Sequence, residues 1–176
     1  VTVCAGSGIG KSLFCKEVAY SLLKKNQKVG YIALEESIKR TMQGLVSIHA
    51  NKPLHLKSTL IDADDLKKSW DAVANNDNLF LYDHFGSSDS DNLLNKIRYM
   101  SKSLGCDWIF LDHLSIVVSG IAEGDERRLI DNTITKLRTL VEETGISLVL
   151  VSHLKRMEGN KSHEDGQATS LAHLRG

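Results

Sequence analysis

An α/β fold with a mostly parallel central sheet flanked by helices is predicted by three features of the sequence. Short apolar runs alternate with longer stretches of helical periodicity. A glycine-rich turn joins the first apolar run to the first periodic stretch. Residues able to do chemistry fall at the carboxyl ends of the apolar runs, where parallel sheets place their ligands. Parallel strands require crossover connections, and helices of about 10–20 residues between strands supply them.

Taken in order, Val1–Cys4 reads as a strand ending in the glycine-rich turn, and Lys11–Asn26 as a helix. That helix is expected to bury a stripe of Phe14, Val18 and Leu22, with Ala19 and Leu23 beside it. Val29–Leu34 is a second buried strand, followed by a helix from Ser37 to Ala50 with Ile38, Met42, Leu45 and Val46 inward. Asn51–Asp64 is polar, holds the single proline, Pro53, and is expected to be loop-rich. A short helix over Asp65–Ala74 and a strand over Leu79–Tyr82 come next. Ser90–Leu104 is a helix closed by Gly105, a residue suited to the left-handed position after a helix end. Trp108–Leu111 is a strand ending at Asp112. The helix Asp125–Thr144 is expected to bury Ile130, Ile134, Leu137 and Val141 before stopping at Gly145, and Ile146–Val151 is the last strand.

The 176 residues suit one domain, since domains commonly run ~100–200 residues. With 41% hydrophobic and 25% charged residues the composition is that of an ordered, soluble chain. Lys plus Arg equal Asp plus Glu at 22 each, so any contact with nucleic acid must come from a local patch. The three cysteines, Cys4, Cys15 and Cys106, show no C-x-x-C spacing and are expected to be reduced, in a cytosolic setting. No apolar run approaches the ~18 residues that mark a membrane span. The chain begins at Val1 within a predicted strand and stops after Leu174-Arg175-Gly176, so residues 1–176 are expected to be part of one domain cut at both ends.

The turn Ala5-Gly6-Ser7-Gly8-Ile9-Gly10-Lys11-Ser12 stands between a strand and a helix, which is the setting of a phosphate-binding P-loop. Its glycines allow backbone N–H groups to wrap a phosphate, and the helix dipole favours the negative charge. Lys11 would reach the outer phosphates, and the Ser12 hydroxyl would hold Mg²⁺. Ala5 stands where the strict pattern has its first glycine. Asp112, at the end of Trp108-Ile109-Phe110-Leu111, fits the Walker B carboxylate that orients Mg²⁺.

Glu35 and Glu36 end the second strand, where a carboxylate can activate water against a γ-phosphate. Successive residues point differently, so one of the pair faces the site. The same pair also suits a solvated helix start. His153 ends the last strand, as a γ-phosphate contact or an ordinary loop residue. Beyond it, Lys155, Arg156 and Lys161 lie with Gly159 and Gly166 in a basic loop suited to nucleic-acid phosphates, although Glu158, Glu164 and Asp165 dilute its charge. Ser119–Arg128, with Gly120 and Gly124, is a second loop at the same edge, running into a helix start at Arg127 and Arg128. The other histidines show no metal-binding spacing, so no metal beyond nucleotide-bound Mg²⁺ is expected.

Five separated motifs, Gly6-Ser7-Gly8-Ile9-Gly10-Lys11-Ser12, Leu34-Glu35-Glu36-Ser37, Ile109-Phe110-Leu111-Asp112-His113, Ser152-His153-Leu154-Lys155 and Leu174-Arg175-Gly176, occur in the order of one family. Together with Gly124-Asp125-Glu126-Arg127 and His163-Glu164-Asp165-Gly166, they make the chain resemble the helicase domain of T-seven-type phage replicative helicase–primases, of the DnaB-like superfamily-four group. The resemblance implies a RecA-like fold, a ring hexamer, and 5′-to-3′ translocation on single-stranded DNA with duplex unwinding, driven by hydrolysis of ATP or dTTP with Mg²⁺. It also implies Glu35 as catalytic base, His153 as γ-phosphate sensor, and the Lys155–Lys161 loop as a DNA contact in a central channel. A fused primase and a DNA polymerase become expected partners, and the host-cell cytoplasm the expected location. The family's arginine finger and much of its base pocket lie beyond the position matched by Gly176. The P-loop core by itself also suits a RecA-like recombinase, an accessory DNA-dependent ATPase or a small-molecule kinase; the last would need an acceptor pocket and an Arg-rich lid.

Overall fold

A computed structural model describes residues 1–6, 8–56, 58–83, 90–113 and 123–154, apart from the side chains of 83, 90, 123–127 and 153. Its strands are β1 (Thr2–Ala5), β2 (Val29–Ala33), β3 (Leu79–Asp83), β4 (Trp108–Asp112) and β5 (Ser147–His153). Its helices are α1 (Lys11–Leu23), α2 (Ile38–Ala50), α3 (Ala63–Ala74), α4 (Ser90–Lys102) and α5 (Glu123–Thr144). The strands form one sheet in the order β1-β5-β4-β2-β3, with every pairing parallel.

The sheet is covered on both faces, which is why its strands read as apolar runs without alternation. Val29, Tyr31 and Ala33 of β2 point to one face, where Cys15, Ala19 and Leu23 of α1 join Phe110, Val149 and Val151. Ile32, with Ile109 and Leu111, points to the other face, against Leu93, Leu94, Ile97 and Met100 of α4 and Ile130, Leu137 and Leu140 of α5. Beside α1, helices α2 and α3 build a smaller cluster from Met42, Leu45, Val46 and Val73. Among the described residues, no helix is long and apolar enough to cross a membrane.

Three predicted helix faces are corrected. In α1 the buried stripe is Lys11, Cys15, Ala19 and Leu23, while Phe14 is 55% exposed and Val18 and Leu22 are half-buried. The expected stripe was displaced by one residue because a lysine at the inner face does not register as apolar. Ile38, in the first turn of α2, is 37% exposed and not part of the buried face, although Met42, Leu45 and Val46 point inward as expected. In α5 the inner face is Ile130, Thr133, Leu137 and Leu140, with Ile134 exposed and Val141 half-buried. Thr133 can be buried because its hydroxyl donates to Leu129 O at 2.7 Å.

Element ends follow local chemistry. α1 stops at Leu23, short of the predicted Asn26, where Asn26 itself turns left-handed at φ 57°. The Ser37 side chain caps α2 by accepting from Arg40 N, and Asp62 caps α3 by accepting from Asp64 N.

Candidate functional site

The parallel register brings the carboxyl ends of β1, β5, β4 and β2 to one edge. Ala5 is opposite His153, and Ala33 is opposite Asp112. From β1 the chain enters the glycine-rich turn, where Gly8 and Gly10 have φ of 73° and 95°. A Cβ at either would meet nothing within 4 Å, so the left-handed backbone, and not crowding, is what calls for glycine there. Gly10 stands at the N-cap of α1, where no side chain takes a capping hydrogen bond and the first turn holds no acid. Backbone N–H groups at such an end are suited to an anion.

Lys11 opens the buried stripe of α1 and is 8% exposed. Its ammonium donates to Ala5 O at 3.0 Å and to Gly6 O at 2.5 Å, which holds it against the loop. Ser12 follows, half-buried, in the same turn.

Asp112 ends β4 and is only 3% exposed. Its Oδ2 accepts the Tyr31 hydroxyl at 3.1 Å, from the neighbouring strand β2. Tyr31 is fully buried and stacks on Phe110 with ring centroids 5.7 Å apart. Burial, with the negative charge of Asp112 next in weight, pushes the Tyr31 hydroxyl far above the ordinary phenol range, so it remains a donor. The second oxygen, Oδ1, is buried and has no hydrogen-bond partner among the described residues. A buried carboxylate oxygen left in that condition suits a hydrated Mg²⁺, which commonly takes one or two carboxylates and completes its shell with water and phosphate oxygens. Ser12 and Asp112 therefore fit the ion implied by the motifs. Among the described residues, no three His, Cys, Asp or Glu side chains group into an all-protein metal cage.

His113 follows Asp112 and is also buried. Its Nε2 lies 3.1 Å from Glu35 Oε2. Burial pulls the imidazole below its ordinary pKa, assisted by Lys11, and this outweighs the opposing pull of Glu35 and Asp112. The backbone explains the contact of His113 with Glu35: Leu34 N donates to Asp112 O at 2.7 Å, so the residues that follow, Glu35 and His113, leave their strands side by side.

The two glutamates separate into different roles. Glu36 Oε1 lies 2.6 Å from Lys16 Nζ and accepts the Thr41 hydroxyl at 2.7 Å. Lys16 is buried, and its stem runs across Gly44 of α2, where a Cβ would approach Lys16 Cδ to 2.7 Å. Glu36 thus ties α1 to the start of α2, and Glu35 turns to His113 with its side chain 58% exposed.

Of the sequence-derived candidates, Gly6, Gly8, Ile9, Gly10, Lys11, Ser12, Asp112 and Glu35 lie on this edge. The backbone of His153 is there too, in register with Ala5, but its side chain lies outside the described residues. Ser7, Lys155, Arg156 and Lys161 also lie outside the described residues, as do the closing Leu174-Arg175-Gly176 and residues 119–122 of the predicted Ser119–Arg128 loop, whose remaining residues form the start of α5 instead. Residues not singled out from sequence are Tyr31, Lys16, Thr41 and the role of His113. Tyr31 carried a signal, because a phenol in a strand apolar on both faces needs a buried partner. Lys16 carried one as well, as a cation between Cys15 and Ala19. A groove of about 540 Å³ between α2, α3 and the loop joining them, lined by Gln43, Val46, Leu54 and Trp70, lies apart from this edge.

A family model described as the DnaB-like helicase C-terminal domain matches residues 1–175. The chain is 41% identical over its whole length to a DNA helicase/primase of Enterobacteria phage T3, of which it covers 32%. It is 27% identical, over 89% of its length, to a probable plasmid replicative DNA helicase of Chlamydia psittaci, covering 35% of that protein. The chain thus spans about a third of the length of these relatives. Among solved structures, an ATPase domain matches with a TM-score of 0.79 at 18% identity, over 99% of this chain and 62% of that one. A DnaB-like replicative helicase studied with its primase matches with the same TM-score and identity, over 99% of this chain and 43% of that one. These likenesses extend the description of the fold: an α/β sheet of the kind found in such ATPase domains.

Proposed function

The chain belongs to the DnaB-like helicase C-terminal domain family, and on that footing we propose that it is the NTP-hydrolysing motor of a replicative DNA helicase. One observation carries the proposal furthest: Glu35 meets buried His113 at 3.1 Å, one residue beyond the buried Asp112 with its unpartnered Oδ1, on the sheet edge that also holds the glycine-rich turn. A binding module has no use for a half-exposed carboxylate at that point, whereas hydrolysis needs one.

In this mechanism the turn from Gly6 through Ser7, Gly8, Ile9 and Gly10 wraps the NTP phosphates with backbone N–H groups. Lys11 swings from the carbonyls of Ala5 and Gly6 to the β- and γ-phosphate oxygens. Ser12 and Asp112 would hold the Mg²⁺ that accompanies ATP or dTTP, an ion that would supply neutralisation of phosphate charge. Glu35 orients a water in line with the γ-phosphorus and takes its proton as the water oxygen bonds to phosphorus. The bond to the bridging oxygen breaks, and the NDP leaves with those electrons. His153 contacts the γ-phosphate and passes its loss to Lys155, Arg156 and Lys161, which hold single-stranded DNA. Six copies in a ring turn a few cations per chain into a positively charged channel and move 5′-to-3′ along the strand. Residues 1–176 belong to a single RecA-like domain, in a protein of the host cytoplasm that works with primase and polymerase.

The test is NTP hydrolysis with and without single-stranded DNA. The expected result is strong stimulation by DNA, lost in Glu35→Gln while nucleotide binding persists. Hydrolysis indifferent to DNA would remove the channel role of Lys155, Arg156 and Lys161. Full turnover by Glu35→Gln would remove Glu35 as the base.

A further inference from the structure

We propose that His113 is a positioning residue for hydrolysis, aiming the Glu35 carboxylate through the contact of its Nε2 with Glu35 Oε2. The inference rests on reading Glu35 as the base, and adds a residue to which the motif chemistry gives no part. Glu35 extends from the end of β2 with most of its side chain in solvent. A glutamate in that setting samples several rotamers around three torsions, and only some direct an oxygen at one point. Proton abstraction depends on that direction, since a misplacement of about 1 Å can cost ~10²-fold in rate.

His113 has what Glu35 lacks. Its side chain is 8% exposed, and it follows directly on the last residue of β4. The Leu34 N to Asp112 O hydrogen bond, at 2.7 Å, fixes the two backbones one residue before the contact. On the far side of Glu35, Glu36 is held by Lys16 and Thr41, so the backbone of Glu35 is anchored at both neighbours. A rigid donor 3.1 Å from one carboxylate oxygen then leaves the other oxygen in a defined direction. Asp112 is the residue before His113, so the group that orients the base is joined by one peptide bond to the group that orients the ion.

The experiment compares His113→Ala, His113→Gln and His113→Asn in DNA-stimulated NTP hydrolysis, with kcat and KM separated. Thermal unfolding and nucleotide binding are measured on each variant. Gln can place an amide N–H near the position of imidazole Nε2, and Asn can reach only the nearer Nδ1 position. The expected result for His113→Ala is a fall in kcat of about 10–100-fold, with KM within about twofold. His113→Gln should recover most of that loss, and His113→Asn should not. A His113→Ala variant at wild-type kcat would overturn the proposal, as would a loss carried by KM, or Gln and Asn behaving alike. If the Ala variant does not fold, the contrast between Gln and Asn decides. Should Glu35→Gln remain fully active, the base assignment and this inference fall together. If Glu35→Gln is inactive and the His113 variants are normal, only the positioning role falls.

Discussion

Replacing Glu36 by Ala removes a carboxylate that sits 2.6 Å from the Lys16 ammonium and accepts the Thr41 hydroxyl at 2.7 Å. The ammonium left behind is on the buried face of α1, with a side chain only 8% exposed. Stranding one member of a buried pair costs ~3–5 kcal/mol. The Glu36 side chain is 20% exposed, so water can partly resolvate the Lys16 charge, and the expected loss shrinks to about 2–3 kcal/mol. For a chain of this length, each kcal/mol moves the midpoint by ~2–4 °C, so Glu36→Ala should melt about 5–10 °C lower. Glu35→Ala removes a mostly exposed side chain and should stay within about 1 kcal/mol of wild type. Lys16→Met combined with Glu36→Gln removes both charges and retains an acceptor for Thr41, so it should recover at least half of the Glu36→Ala loss. The assay is thermal and urea unfolding followed by circular dichroism. Equal midpoints for Glu36→Ala and Glu35→Ala, or a double variant as unstable as Glu36→Ala, would refute the division of labour between the two glutamates.

Tyr31→Phe preserves the ring stacked on Phe110 but takes a hydrogen bond from buried Asp112; a loss of about 2 kcal/mol is expected, as a lower urea midpoint with an unchanged slope. An unchanged midpoint would mean that the hydroxyl does not support Asp112. Phe14→Ser should cost less than about 1 kcal/mol, because Phe14 is exposed, whereas Leu45→Ala in the core beneath α2 should cost ~2–5 kcal/mol; the reverse order in unfolding experiments would restore the sequence-derived stripe. Burial pushes the thiols of Cys15 and Cys106 up to about 11, so at pH 8 each is thiolate only about 0.1% of the time. A thiol-reactive disulfide reagent should leave both unmodified in the folded protein and label both in denaturant, as read by peptide mapping. Rapid labelling of either in the native state would contradict its placement.

The order of elements and the parallel sheet were legible because strands covered on both faces leave uninterrupted apolar runs, and left-handed turns leave glycines. That Gly6, Gly8, Gly10, Lys11, Ser12 and Asp112 gather at one sheet edge was legible for a similar reason: a glycine-rich turn between a strand and a helix, and a carboxylate ending an apolar run, mark those places in the sequence. Helix faces were less so. Lys11 and Lys16 occupy buried positions because a loop carbonyl or a glutamate meets each ammonium, and Thr133 because a helix carbonyl meets its hydroxyl. Hydrophobicity cannot register such partners, so Phe14 and Ile134 looked buried and are not.

By itself the sequence determined which backbone stretches form strands and helices, and which residues a phosphate group would require, since both are set by local pattern. Which partners each of two adjacent glutamates takes was decided by tertiary structure. Residues 35 and 36 are chemically identical, and only the contacts from α1, α2 and β4 distinguish them. Lys16 and Thr41 engage Glu36, while His113 meets Glu35 across a sheet pairing that joins segments far apart in the chain. Hydrogen bonds and ion pairs act over a few ångströms of space, so their choice of partner is written in the packing and not in the spacing of the residues along the chain.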